Sequence, residues 1–400
     1  MSVLLWPGSR HFQREGTSMN TTAPRVAIVG AGPGGLVCAR VLQRHGMPVT
    51  VHDLDASPAA RDQGGTLDLH PGTGQAALRA AGLLDAFLAL ARPEGQQMRL
   101  VGADGRIVFD GIPPEAATRE GNPEIDRDQL RGLLLDSLAP GTVRWGHRLT
   151  RVEPVGGGVH RLRFADGTSA DADLVIGADG AWSRVRPLLT DATPRYTGVT
   201  FVETGFDHVD TRHPRLAALT AAGTMMALHD RRGLVAQRTG GGHIRAYVAL
   251  RADEDWHRRA GLDLADAAAV RAALLDRFTG WSEPLLAFIT DTDRGYVHRP
   301  LYALPVPHTW APTPGLTLLG DAAHLMSPFS GTGANLAMLD GADLARALVG
   351  HATVDEAVAA YEKVLLPRSA EAAAGAAEAI DDAFGPDGAD RVLAHLTGPR

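Results

Sequence analysis

The sequence predicts an α/β protein in which a parallel-sheet domain is joined to a second, mostly antiparallel sheet domain and to a C-terminal bridging helix. Three observations favour this fold class. Two β-branched runs, at 26–29 and 49–51, enclose a glycine-rich turn and a helical pattern, which is the order of a βαβ unit. Further short apolar runs at 174–176 and 316–319 indicate buried strands. Residues 196–290 largely alternate apolar and polar side chains, which is typical of an antiparallel sheet.

Composition and charge narrow the classes of partner. The chain has 400 residues, 44% of them hydrophobic and 21% charged, which is ordinary for a globular protein of two or three domains. Its 39 basic and 46 acidic residues give a formal net charge of −7, which argues against nucleic acid or an anionic membrane as a partner. No apolar run approaches the ~18 residues of a membrane span. We therefore expect a cytoplasmic protein, with a monomer as the default state.

The single cysteine limits redox and metal chemistry. Cys38 cannot form an intrachain disulfide, and the sequence contains no C-x-x-C or H-E-x-x-H spacing. This pattern suits a reducing compartment, and no metal site is predicted. Residues 1–22 are polar, lack periodicity and contain a second methionine, Met19, so we expect either a disordered extension ahead of the first strand or a misassigned start.

The glycine-rich turn is a dinucleotide signature in its proper context, between a strand and a helix. It consists of Gly30, Ala31, Gly32, Pro33, Gly34 and Gly35, in the pattern G-x-G-x-x-G. Gly30 permits the tight turn, Gly32 lets the backbone approach a pyrophosphate, and Gly35 lets the helix pack on the sheet. Asp53 closes the second strand where an acid accepts ribose hydroxyls. The pattern predicts a Rossmann-type nucleotide site without choosing between NAD and FAD, and a ligand-free glycine turn is the alternative.

Two further segments place an aspartate after a buried strand. The first, LVIGADGAWSRVR over 174–186, contains Asp179, Gly180 and Arg186. The second begins LTLLGDAAH at 316, and its candidate cofactor-binding residues are Gly320, Asp321, Pro328, Gly331, Thr332, Gly333 and Asn335. A carboxylate beside a glycine-rich helix N-terminus can hold polar cofactor groups. For either segment alone, an ordinary Asp-Gly loop is an equal alternative.

Together the three segments resemble the class A flavoprotein monooxygenases, the FAD-dependent aromatic hydroxylases, over about residues 25–393. The resemblance implies that the first motif and Asp53 hold the ADP half of FAD. It implies that the segment around Asp179 bears on FAD and its nicotinamide donor, that Gly320 and Asp321 bind the ribityl chain, and that the loop 328–335 lies beside the isoalloxazine. Arg127, in EIDRDQLR, matches the family arginine that contacts FAD. Leu54 stands where an arginine often follows the ribose acid, so one adenosine contact is expected to be missing.

The match narrows to one branch of that family. Segments 64–75, 122–131 and 320–335 look like those of the tetracycline destructases, the tetracycline-inactivating monooxygenases. By approximate alignment, the branch's substrate-contacting positions fall on Glu203, Thr224 and Arg245, and Met226 and His229 are further candidates for the substrate site. The alternative is that these five residues belong to solvated faces of the sheet.

The resemblance also implies a mechanism in which the cofactor performs the chemistry. No Ser-His-Asp, Cys-His or paired-carboxylate arrangement is convincing, so no catalytic side chain is predicted, and His324 is expected to be a buried, hydrogen-bonded histidine. In such enzymes reduced FAD reacts with O₂ to give a C4a-hydroperoxide, which hydroxylates an electron-rich phenol or enol. No second G-x-G-x-x-G follows a strand, so we expect NADPH to bind transiently, with NADH not excluded.

Three functions remain open at this point. The leading hypothesis is an NAD(P)H-dependent FAD monooxygenase of a polycyclic aromatic or enolic compound, with a tetracycline-like substrate and antibiotic inactivation as the best single choice. The second is a hydroxylase or epoxidase of a different polyketide or phenol in a biosynthetic pathway. The third is a non-catalytic flavin-binding protein.

The predicted domains are interleaved along the chain. The FAD-binding domain is expected to comprise 23–81, 112–185 and 290–345. The substrate domain is expected to comprise 82–111 and 186–289, and the C-terminal helix 346–400.

Overall fold

The computed structural model describes residues 23–60, 64–114, 116–117 and 121–397. The predicted disordered extension, 1–22, lies outside the described residues. Within the described ranges no helix combines the length and the apolar character needed to cross a bilayer.

The described ranges contain seventeen strands and thirteen α-helices. The strands, β1 to β17, are Val26–Val29, Val49–His52, Thr66–Asp68, Met98–Val101, Ile107–Gly111, Glu124–Asp126, Val143–Arg144, Leu149–Gly156, Val159–Phe164, Ser169–Ala172, Leu174–Gly177, Arg195–Phe206, Thr224–His229, Arg232–Thr239, His243–Arg251, Val297–Ala303 and Leu316–Leu318. The helices, α1 to α13, are Pro33–Arg44, Gly74–Ala81, Leu84–Leu90, Arg127–Asp136, Val209–Arg212, Pro214–Thr220, Trp256–Arg259, Ala267–Arg277, Glu283–Thr290, Asp321–His324, Gly333–Gly350, Val354–Ala383 and Gly388–Thr397.

The first domain is built on a five-stranded parallel sheet in the order β17-β11-β1-β2-β7. Its central strands are fully buried, as expected for a parallel sheet covered by helices. Helix α1 packs closely on α11, where a Cβ added at Gly341 would lie 2.2 Å from the Gly34 carbonyl oxygen. Cys38 lies on α1 and is buried. The strands of this sheet come from residues 26 to 318, so the domain is discontinuous in sequence.

The second domain is a seven-stranded sheet in the order β16-β12-β15-β14-β13-β4-β5. All its pairs are antiparallel except β13 with β4. Helices α5, α6, α8 and α9 cover one face through a core that includes Val202, Phe206, Leu274 and Phe288. The predicted fold class, with one parallel and one mostly antiparallel sheet, is confirmed.

Helix α12 connects the two domains. It begins with a capping box formed by Thr353 and Glu356, and its first half packs into the core of the first domain through Tyr361. Its last turns contact the second sheet through Ile380. Pro367 lies inside this helix, which continues past it to Ala383. Pro367 is exposed, so the carbonyl that loses its helical partner there can bond water.

Two segments pack differently from the predicted domain boundaries. Helix α3, assigned to the substrate domain, buries Phe87 in the core of the first domain. Strand β16, assigned to the FAD-binding domain, pairs with β12 at the edge of the second sheet. Both elements are short and adjoin a change of domain, where an apolar pattern does not reveal which core receives it.

Candidate functional site

The N-terminus of α1 opens onto free space. Three glycines of the predicted motif are fixed by close packing: a Cβ at Gly30 would lie 2.2 Å from the Ala178 carbonyl oxygen, and one at Gly35 would lie 2.3 Å from the Gly30 carbonyl oxygen. Gly34 meets the backbone of α11. At Gly32 a Cβ would meet no described atom within 4 Å, and no described side chain caps the helix. Because uncapped N–H groups and the helix dipole attract anions, this end fits a pyrophosphate.

The predicted ribose acid is held in a fixed orientation. The Asp53 carboxylate accepts hydrogen bonds from the backbone N–H of Ala31 at 2.6 Å and of Asp55 at 2.8 Å. Asp55 is paired in turn with Arg131, 3.3 Å away and almost fully buried. Each Asp53 oxygen keeps a second acceptor position for a ribose hydroxyl. Leu54 is 52% exposed beside it, and Arg131 is a buried support that the sequence reasoning missed.

Arg127 lies in a cleft between the two domains. It begins α4, and its backbone N–H donates to the Gly65 carbonyl oxygen at 3.1 Å. A Cβ at Gly65 would lie 3.7 Å from the Tyr247 hydroxyl and 3.9 Å from Arg127 Nε. The surrounding protein partly desolvates the Arg127 guanidinium and thereby lowers its pKa, although the surface of the residue remains accessible to solvent. This combination is typical of a residue inside a concave site, and Asp321 is one of the charges that acts on it.

The turn at Gly320 and Asp321 is supported by a buried charge cluster. Asp340, on α11, accepts from the Gly320 N–H at 3.0 Å, from His324 Nε2 at 2.6 Å and from Arg368 of α12 at 2.9 Å. His324 and Asp340 are almost inaccessible to solvent. Desolvation lowers the pKa of His324, but attraction and hydrogen bonding to Asp340 outweigh it and raise the pKa overall. The predicted burial of His324 is confirmed, whereas no sequence signal revealed Asp340 or Arg368.

Asn335 joins two of the segments identified in the sequence. Its Oδ1 accepts from the backbone N–H of His70 at 2.9 Å and of Gly74 at 3.2 Å, and its Nδ2 donates to the Asp68 carbonyl at 2.8 Å. Asn335 therefore holds the loop 328–335 against residues 68–74. A Cβ on Gly331, which has a φ of +65°, would lie 3.9 Å from the Asp68 carboxylate. Pro328, Thr332 and Gly333 lie in this loop and at the start of α11.

The segment around Asp179 is mostly bonded within the protein. The Asp179 carboxylate accepts from the Ser183 hydroxyl at 2.5 Å and from the Arg184 N–H at 2.6 Å, and burial raises its pKa. Arg186 is buried, which lowers its pKa, and it donates to the backbone carbonyls of Ala181 and Ala322. It thereby ties this segment to α10. Gly180, with a φ of +76°, makes the turn.

The second sheet presents four of the five predicted substrate residues on one face. Cross-strand register aligns Thr224 with Gln237 and Gln237 with Arg245, and it aligns Met226, Val235, Tyr247 and Glu203 in the next row. This face meets the first domain, because Arg245 packs against the backbone of Gly64. His229 is the exception. It is in register with Leu250 through Arg232 and contacts Trp281, so it lies on the opposite, helix-covered face, and the structure separates it from the other four.

Phe201, Phe329 and Phe384 form an aromatic cluster beside the cleft. Phe201 packs at 5.1 Å from Tyr247 and 6.1 Å from Phe329, and Phe329 packs at 5.2 Å from Phe384. The cluster joins the second sheet, the loop 328–335 and the residue that follows α12. Phe201 and Phe384 are only 8% and 1% exposed, so the cluster is a closed apolar contact that keeps water away from this side of the cleft.

Glu124 beside the cleft leads to a prediction about pH. Its carboxylate is buried and accepts from Thr66 at 2.8 Å, and desolvation raises its pKa from 4.5 to about 7. A raised carboxyl pKa contributes stability at low pH that is lost as the pH rises from 4.5 through about 7. Glu124→Gln removes this titration. Between pH 4.5 and 7.5, the unfolding free energy of the wild type should therefore fall by up to about 3 kcal/mol relative to the variant, measured by urea unfolding. Parallel pH profiles for the two proteins would contradict the assignment.

Comparison with known proteins identifies the family. A family model described as an FAD binding domain matches residues 23–289 and 308–376. The chain belongs to this FAD-binding family. The matched ranges include the α1 N-terminus, Arg127, the Gly320–Asp321 turn and the cleft face of the second sheet. The site therefore fits FAD both by family and by its open helix terminus.

Individual relatives agree with the family. Monooxygenase penA from Penicillium thymicola is 31% identical over 411 residues, which covers 88% of this chain and 93% of that protein. A crystal structure of HpxO from Klebsiella pneumoniae, described as complexed with FAD and uric acid, superposes with a TM-score of 0.78 at 22% identity and covers 93% of this chain and 91% of that one. Tetracycline destructase Tet(55) superposes with a TM-score of 0.69 at 21% identity and covers 90% and 89%. The resemblance to FAD-dependent monooxygenases is confirmed, and the two structures share the fold of this FAD-binding chain.

Proposed function

We propose that this protein is an FAD-dependent monooxygenase that uses NAD(P)H and O₂ to hydroxylate a polycyclic aromatic or enolic small molecule. The overall reaction balances as substrate, O₂, NAD(P)H and a proton giving the hydroxylated product, water and NAD(P)⁺. Two electrons come from the nicotinamide, and one oxygen atom enters the substrate. The observation that carries the proposal is the cleft, in which Arg127 and Asp321 of the FAD-binding domain face Tyr247 on the second sheet.

The residues of the chain would position the cofactor and keep water away from it. The α1 N-terminus would hold the pyrophosphate, Asp53 the adenosine ribose, and Arg127 with Asp321 the part of FAD that enters the cleft. FAD, when bound, supplies the electron transfer and oxygen activation that protein side chains cannot perform. The Phe201–Phe329–Phe384 cluster would keep water away from one side of the reacting ring, and the cleft face of the second sheet would orient the substrate.

The absence of a second dinucleotide signature in the sequence supports transient binding of the nicotinamide donor. Under this proposal NADPH or NADH meets the flavin without a Rossmann unit of its own. The segment around Asp179 is the best candidate for that contact, because Arg186 links it directly to α10 and the Gly320–Asp321 turn.

Product analysis tests the function and ranks the substrates. The purified protein, loaded with FAD, is incubated with NADPH or NADH, O₂ and a panel of tetracyclines, polyketide phenols and simple phenols. We expect substrate-stimulated NAD(P)H oxidation and a product heavier by one oxygen atom, detected by mass spectrometry. Loss of the tetracycline chromophore with that mass gain would support antibiotic inactivation. Oxygenation only of another phenol would support the biosynthetic alternative. Bound FAD that neither nicotinamide can reduce with any substrate would overturn the proposal in favour of a flavin-binding protein.

A further inference from the structure

Two charged residues on the cleft face of the second sheet form an ion pair with each other. Arg245 and Glu203 lie on neighbouring strands, and their side chains are only 12% and 15% exposed. Arg245 Nη1 and Glu203 Oε1 are 3.0 Å apart. The other carboxylate oxygen of Glu203 is 3.0 Å from Nε of Arg299, which is 55% exposed at the edge strand. Glu203 thus engages both arginines at once.

This arrangement changes what Arg245 can do for a ligand. A lone arginine on the face of a binding site would be a natural partner for a carboxylate, through two parallel hydrogen bonds. Here the guanidinium of Arg245 already has a carboxylate partner in Glu203. An incoming carboxylate would have to displace Glu203 or lie beside it, and two carboxylates that share one guanidinium repel each other in a poorly solvated site. Binding of an anionic ring substituent at Arg245 is therefore disfavoured.

In the two rows of the sheet that contain Glu203 and Arg245, the other polar side chains are neutral. Tyr247 is paired directly with Glu203 across β12 and β15. Burial together with the charge of Glu203 raises the pKa of Tyr247, so its phenol remains protonated and can donate. Thr224 and Gln237 are half-buried in the adjacent row. A hydroxyl, a carboxamide and a phenol match the carbonyl, amide and hydroxyl groups of a neutral aromatic compound.

We propose that Glu203 is a specificity-determining residue: by holding Arg245, it selects neutral aromatic substrates that bear carbonyl or hydroxyl groups and rejects aromatic carboxylates. This inference rests on the proposed function, since it assigns the substrate class of the same cleft. It requires no chemical step, because Glu203 acts on substrate binding.

The experiment compares two ligands of nearly the same shape, one neutral and one anionic. Salicylamide and salicylate are titrated into the FAD-loaded protein, and the perturbation of the flavin absorbance gives each dissociation constant. In the wild type we expect salicylamide to bind at least tenfold more tightly. Glu203→Gln leaves the size of the side chain unchanged but removes its charge, so we expect the preference to shift toward salicylate by tenfold or more. Glu203→Asp retains the charge and should retain the wild-type preference.

A matched control separates specificity from general damage. Glu283 is exposed at the start of α9, and Glu283→Gln should leave the ratio of the two dissociation constants unchanged. The inference is overturned if Glu203→Gln leaves that ratio at the wild-type value, or if the wild type binds salicylate as tightly as salicylamide. The titration needs no turnover. A shifted ratio without oxygenated product would count against the proposed function alone, and product without a shifted ratio would count against this inference alone.

Discussion

Gly32→Val should abolish the retention of FAD and leave the apoprotein as stable as the wild type. The backbone at Gly32 has φ −78° and ψ 172°, which any residue adopts, and a Cβ there meets no described atom within 4 Å. The valine side chain would instead occupy the space over the α1 N-terminus. We expect a loss of FAD affinity of about 100-fold or more, or about 2.7 kcal/mol, because the pyrophosphate can no longer approach the helix N–H groups. Isothermal titration with FAD measures the affinity, and urea unfolding of the apoprotein measures the stability.

Gly30→Ala is the converse control within the same motif. Gly30 has a φ of +111°, and the added Cβ would lie 2.2 Å from the Ala178 carbonyl oxygen. Strain at positive φ and a backbone clash should together destabilise the apoprotein by about 3 kcal/mol. Gly32→Val should therefore show its defect in the FAD titration, and Gly30→Ala should show its defect in the urea unfolding of the apoprotein. Wild-type FAD affinity in Gly32→Val would show that the pyrophosphate does not lie over this residue.

Asp340→Asn should cause the largest loss of stability in the FAD-binding domain outside the glycine motif. The variant keeps the shape of the side chain but leaves His324 and Arg368 without their buried counter-charge. Removal of one partner from a buried ion pair typically costs about 3–5 kcal/mol, and partial exposure of Arg368 favours the lower figure. The unfolding free energy from urea titration provides the measurement. FAD affinity should fall as well, because Asp340 also accepts from the Gly320 N–H.

The pH dependence gives this prediction a second readout. The pKa of His324 is raised in the folded protein, so its contribution to stability is complete below the unfolded value of 6.5 and is lost as the pH rises through the folded value. This dependence should disappear in Asp340→Asn. Asp343 also pairs with Arg368, at 2.8 Å, but is 26% exposed, so Asp343→Asn should cost at most about 1 kcal/mol. Equal losses in the two variants would contradict a special role for Asp340.

Sequence patterns located the backbone of the site better than its side-chain supports. The α1 turn and the Gly320 turn could be predicted because glycines and strand-to-helix transitions are local features. Asp340 and Arg368 could not, because their importance arises only when α11 and α12 pack together. An aspartate inside a helical pattern is ordinarily a solvated residue.

Alignment of single positions with the tetracycline destructases could not predict which of the candidate substrate residues share one face of the sheet. Glu203, Thr224, Met226 and Arg245 share a face because strand register alternates with period two, but His229 belongs to the opposite parity. The sequence does not fix the ends of the strands, and a shift of one residue moves every side chain of a strand to the opposite face of the sheet. Sequence reasoning therefore could not tell on which face His229 lies. The Arg245–Glu203 pair depends on pairing between β12 and β15, which lie about forty residues apart.

The interleaved order of the strands has a consequence for biosynthesis. The parallel sheet needs β1 from the beginning of the chain and β17 from residues 316–318, and the Gly320 turn then depends on Arg368 in α12. A nascent chain therefore cannot assemble the cleft stepwise from its N-terminus. The nucleotide-binding turn emerges from the ribosome early but has to wait for α12 before its partners are in place. FAD capture should accordingly follow the synthesis of α12, and the second sheet, whose last strand is β16, can pair its strands earlier.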